Sequence, residues 1–169
     1  MAVASASARF ASVRALETLL AFPALLFALA WAAVRGPGWD TLTISLLLGT
    51  VPPLTRLIYA RTREILVEDY VTAAHSLGAS PWRIAYRHLL PGVRSLCRVK
   101  APGLFAYALM AEATLSFLGI GAPIGRDSWG TLLSQGKDYL IEAPHLAIGS
   151  GLPLVLTILS LQLLSSHRD

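Results

Sequence analysis

Cys97 is the only cysteine among 169 residues. One thiol cannot form an intramolecular bridge or supply a multi-cysteine metal cluster, so a disulfide scaffold is excluded and Cys97 reads as a small apolar filler. Charge is scarce as well. Only 14% of residues are Asp, Glu, Lys or Arg, against about 25% in ordinary soluble domains. Apolar residues make up 54% of the chain and mean hydropathy is +0.59. Disorder requires low hydrophobicity and high net charge, so a disordered chain is excluded too.

Catalytic signatures are missing. There is no G-x-x-x-x-G-K-[ST] phosphate loop; Gly136-Lys137 is followed by Asp138 and lacks the upstream glycine, so the chain is expected neither to bind nor to hydrolyse ATP itself. No H-E-x-x-H occurs, and His75 and His88 fall on different predicted helices with no third ligand nearby in sequence; neither a metal nor another cofactor is expected. Gly78-Ala79-Ser80 superficially matches the nucleophile segment of an intramembrane serine protease. That serine sits beside Arg83 with no base in reach by sequence, which makes a poor active site.

What the chain has is a patterned charge. The net value of +4 raises the question of nucleic acid, and its distribution answers it. Eight basic residues (Arg56, Arg61, Arg63, Arg83, Arg87, Arg94, Arg98, Lys100) but only Glu64, Glu68 and Asp69 lie between Arg56 and Lys100. The positive excess is confined to one segment between hydrophobic runs. This is the positive-inside pattern of a membrane protein, not a basic nucleic-acid face.

Four runs, residues 19–34, 42–58, 99–121 and 146–164, approach the roughly 20 apolar residues that cross about 30 Å of hydrocarbon. Pro52 and Pro53 in the second remove backbone donors and predict a kink. The basic segment, residues 59–98, is assigned to the cytoplasm, and alternation puts residues 122–145 outside and both termini inside. Arg9 and Arg14 ahead of the first run, with Ala30-Trp31-Ala32, also match a cleavable secretory signal. Alanine is frequent throughout, and flanking Arg14 and Arg35 can snorkel, so the run is read as a span. The fold class is thus an all-α integral membrane protein of four transmembrane helices with a cytoplasmic helix-turn-helix loop.

That loop carries two predicted helices. Leu66, Tyr70, Ala73 and Leu77 form a stripe on the first, which should end at Gly78 in the left-handed C′ position. Ser80 as N-cap and Pro81 in the first turn should restart the chain, with Trp82, Tyr86 and Leu89 on one face, Arg83 and Arg87 on another, and Pro91 as the stop. Two readings stand side by side: an amphipathic pair lying in the headgroups, or a docking element presenting residues 78–82 to a soluble partner.

Thr72-Ala73-Ala74-His75-Ser76-Leu77-Gly78 followed by Arg87-His88-Leu89-Leu90-Pro91 resembles the E-A-A-x-x-x-G loop ending in L-P of ABC importer permeases. Gly78-Ala79-Ser80 with Arg83-Ile84 is similar to the branch that imports dipeptides, oligopeptides and nickel, as are residues 112–121 (EATLSFLGIG) and 128–133 (SWGTLL). The resemblance runs from about Leu19 to the C-terminus. Thr72 stands where the family usually has glutamate, and Gly92 where the branch usually has asparagine.

The resemblance implies a permease subunit in the cell inner membrane, partnered by a second permease, cytoplasmic ATPase subunits and an external solute-binding protein. It implies that Thr72, Ala73, Ala74, Gly78, Ala79, Ser80, Pro81, Arg83, Arg87 and Pro91 dock on the ATPase. It covers the last four of six usual helices, so the alternative is a truncated, non-transporting remnant. Glu112, with Ser116 one turn on, falls at mid-depth in the third run; an ionisable group there belongs either to a transport path or to a hydrogen bond tying helices together. Outside, Trp129 and Tyr139 are expected as interfacial anchors, the alternative being that Ser128-Trp129-Gly130 with Asp127, Lys137, Asp138 and Glu142 lines the exit of an external solute-delivering protein.

Overall fold

The structure, a computed structural model, describes residues 23–123 and 125–166. Among these, helices and turns are joined without a strand. Helix α1 spans Ala24–Arg35, so residues 19–22 of the first expected span lie outside the described part. Its Ala28 and Ala32, four apart and buried, face α2, Trp39–Leu66. The turn between them uses Gly36 at φ 84, whose carbonyl accepts from Thr41 Oγ1 at 2.8 Å.

Helix α2 is longer at both ends than the 42–58 expectation, because polar residues on either side of the apolar run extend it without a breaker. It runs unbroken through Pro52 and Pro53. Around them Thr50 Oγ1 donates to the Leu46 carbonyl and Thr55 Oγ1 to that of Val51, the side-chain back-bonding expected of hydroxyl residues in membrane helices.

Past a two-residue turn come α3, Asp69–Ser76, and α4, Pro81–Ile84. A single π-helical turn, Ala85–Leu89, then joins α4 to α5, Leu90–Phe117. Pro91 therefore does not stop the second loop helix. It sits in the first turn of α5, and helix is continuous from Pro81 to Phe117. The reason is steric: in α geometry the Pro91 ring would press on the Arg87 carbonyl, and the wider turn, in which Leu90 N–H reaches back to the Ala85 carbonyl, makes room for it.

The segment after α5 is also more ordered than a connecting loop. It holds α6, Trp129–Gly136, and a 3₁₀ turn, Lys137–Tyr139, before α7, Pro144–Ser166. Helix α5 is the centre of the arrangement, packing on α2, α6 and α7. Its interior is lined by small residues: Ala106, Ala113 and Ser116 on α5, with Ser150 on α7, are all buried. Small residues let helix backbones approach where lipid supplies no hydrophobic drive between helices.

Among the described residues two helices, α2 and α7, are long and apolar enough to cross a membrane. Within their most apolar stretches only 22% of α2 and 11% of α7 is buried in the chain. An apolar helix left so open needs lipid or other helices around it, unlike the core helix of a soluble protein.

Candidate functional site

Helix α3 ends in a Schellman motif. Gly78 N–H donates to the His75 carbonyl and Ala79 N–H to that of Ala74, each at 3.0 Å, with Gly78 at φ 82. A left-handed residue lets the chain reverse while saturating the last carbonyls. Ser80 then caps α4, its Oγ accepting from Arg83 N–H at 3.3 Å, with Pro81 at the first position. The turn has the form the residues predict.

The faces differ from expectation. Beneath the turn, Ile65, Val71 and Ile84 are buried together, with Ala79 and Leu89 against them. The stripe Leu66, Tyr70, Ala73, Leu77 points outward instead, and Leu77 is 87% exposed. Val71 lies off that stripe and is the residue that α3 buries. On the second helix Trp82 and Tyr86 do not pair with half-buried Leu89 on a face of their own. They line one cleft of about 680 Å³ together with Ser80, Arg83, Arg87 and Pro91. Ile65, Val71 and Ile84 were the core residues the sequence reading missed, and their β-branched apolar side chains were the available signal. Exposed Thr72 and Ala73 and half-buried Ala74 occupy the same short helix. Tyr70 leans on His88, ring centroids 5.6 Å apart, bracing α3 against the π turn.

Gly92 faces the Ile65 end of this cluster. A Cβ there would meet Ile65 Cδ1, so the absent side chain is what lets α5 close on the end of α2.

At the other end of α5, Ser116 Oγ donates to Glu112 Oε1 at 2.7 Å and accepts from Ala122 N–H at 3.0 Å. Ser116 is buried and Glu112 half-buried. The helix closes with a second Schellman motif, Gly119 N–H to Ser116 O and Ile120 N–H to Leu115 O, with Gly119 at φ 77. Gly121 folds so tightly back that a Cβ would strike the Ser116 backbone nitrogen.

Helix α6 opens with a capping box: Ser128 N–H donates to Thr131 Oγ1 at 2.7 Å, and Thr131 N–H to Ser128 Oγ at 3.3 Å. Its Gly130 lies on the Ala113 backbone, and Gly136 on that of Ala147. The two motifs around Glu112 and Trp129, separate in sequence, are thereby one packed unit. Between α6 and α7 is a cleft of about 350 Å³ lined by Trp129, Tyr139 and His145 among others. Among the described residues no group of three or more His, Cys, Asp or Glu is placed to hold a metal ion.

Residues 1–166 match the family described as binding-protein-dependent transport system inner membrane component. The chain belongs to that family. Among its relatives is a candidate peptide transport system permease of Brucella suis, 38% identical over 152 residues, which are 90% of this chain and 51% of the relative. The glutathione transport system permease GsiD of Pectobacterium atrosepticum is 34% identical over 152 residues, 90% of this chain and 50% of the relative. The Escherichia coli O1:K1 protein of the same name is 34% identical over 153 residues. The chain spans about half the length of the curated relatives it matches.

Proposed function

We propose that the chain forms part of a permease subunit of an ATP-driven importer for small peptides or a related solute such as glutathione or nickel. In this reading it crosses the inner membrane four times, with residues 59–98 in the cytoplasm, residues 122–145 outside and both termini inside. A second permease would complete the path, two ATPase subunits would supply the energy, and an external binding protein would deliver the solute.

The observation that carries the reading is the continuity of helix from Pro81 to Phe117, which joins the glycine turn to the Ala113–Gly130 contact. ATP-driven closure of the ATPases would press on the turn at Gly78. The buried Ile65–Val71–Ile84 cluster would keep the turn from deforming, and the long helix would carry the displacement into the membrane. Opening to one side or the other then follows from differential contacts in two states. Thr72, Ala73, Ala74 and Ala79 allow close packing by their size, Pro81 and Pro91 shape the helix start and the π turn, and Arg83 and Arg87 orient the docked surface. Glu112 and Ser116 hold the external segment to α5 beside the path.

Replacing Gly78 with Asp tests this. An unpartnered carboxylate inside a docked surface costs about 1–3 kcal/mol or more, so ATPase docking should weaken roughly 5- to 150-fold while membrane abundance stays normal. Solute uptake in whole cells is the readout, and undiminished uptake by that variant overturns the docking role.

A further inference from the structure

Along the outer side of the long helix, next to the proposed docking cleft, lies a second cleft of about 270 Å³ lined by Tyr86, Leu90, Pro91, Arg94 and Arg98. We infer that this cleft binds the phosphate of an anionic phospholipid from the cytoplasmic leaflet. The inference rests on the orientation given above, and it concerns two arginines that the docking role does not use.

Arg94 and Arg98 are four apart on α5, so their side chains share a face. Both are exposed, while Gly92, close by in sequence, is turned toward Ile65 of α2. Among the described residues neither guanidinium has an ion pair; the ion pair formed there is Arg61–Glu64. Two guanidinium forks with no carboxylate between them, over a wall of tyrosine, leucine and proline, match a phosphate oxyanion bearing an apolar tail.

Depth selects lipid over the soluble ATPase. At 1.5 Å per residue, Arg94 and Arg98 stand roughly 20–25 Å up the helix from Pro81 and about 5–10 Å beyond Pro91, where the docking cleft ends, on the membrane side of the surface that would meet a soluble partner. From Ala101 the helix carries no charge until Glu112. The two arginines therefore lie about 5–10 Å below the start of the apolar stretch, which is the thickness of the headgroup layer. Arginines at that level on the cytoplasmic side meet the anionic leaflet.

The test is native mass spectrometry of the assembled complex, purified from membranes and exchanged into micelles with equal amounts of phosphatidylglycerol and phosphatidylcholine of matched chains. Wild type should retain phosphatidylglycerol in clear excess. In the double variant R94Q/R98Q that preference should fall about tenfold or more, whereas R126Q, at an exposed arginine on the other side of the membrane in this orientation, should leave it intact. Equal retention of the two lipids by wild type overturns the proposal without recourse to any variant. Displacement of the bound lipid by millimolar inorganic phosphate also overturns it, identifying a site for free phosphate. A Gly78→Asp complex that no longer transports but keeps its lipid preference separates failure of the docking role from failure of this one.

Discussion

Glycine at 130 and glycine at 92 both stand where a side chain would meet a neighbour, but the neighbours differ in how far they can move. Gly130 faces the carbonyl and Cα of Ala113, which are backbone; Gly92 faces the terminal methyl of Ile65. Gly130→Ala should therefore lower stability by about 1–3 kcal/mol, and Gly92→Ala by clearly less. Thermal unfolding of the two variants in detergent checks the order, and equal losses would contradict the backbone contact at Ala113. Ser116 raises a different issue, since it serves two partners at once. Ser116→Ala leaves the Ala122 N–H and the Glu112 carboxylate short of a bond, which should cost about 1–3 kcal/mol in the same assay. Glu112→Gln keeps an acceptor for Ser116 and should unfold close to wild type. Uptake by that variant then isolates any contribution of the charge to transport, free of the structural tie.

In the proposed docking role, the π turn is the element on which coupling would depend. Pro91 offers no N–H, and the widened turn at Ala85–Leu89 accommodates its ring. With alanine at 91 the missing donor is restored and the clash removed, so the backbone is free to tighten toward α geometry. Each residue of register is about 100° of helix rotation. Trp82, Arg83 and Tyr86 would then turn away from their present direction while α5 stays embedded. Pro91→Ala should thus express and insert normally, unfold at least as late as wild type, and lose uptake. Full uptake with intact insertion would mean that the π turn is irrelevant to docking.

On the scale of the whole molecule, the orientation can be tested through two of its most exposed side chains. Val67, 79% exposed, lies in the turn between α2 and α3, and Ile141, 98% exposed, lies between α6 and α7. With Cys97 replaced by serine, a membrane-impermeant maleimide should label Ile141→Cys in spheroplasts and Val67→Cys only after permeabilisation. Labelling of both from outside would put residues 59–98 on the wrong side for an ATPase. The same bilayer accounts for a chain whose apolar helices remain so open: the apolar faces of α2 and α7 require lipid or neighbouring helices to cover them.

Composition and charge pattern were enough to determine the all-helical membrane class, and local chemistry was enough for the glycine turn at 78 and the cap at Ser80. These depend on residues close in sequence, whose hydrogen bonds close within a few positions. Which faces are buried was decided only by tertiary structure. Val71 is buried and Leu77 exposed because the end of α2 brings Ile65 to one side of α3, and periodicity within a single helix carries no information about that neighbour. The same holds for the joining of the Glu112 and Trp129 motifs, since Gly130 reaches Ala113 only after the chain has reversed at Gly119 and Gly121. Pro91 was misread for a related reason: its effect on a helix depends on whether the preceding turn can widen, and packing settles that.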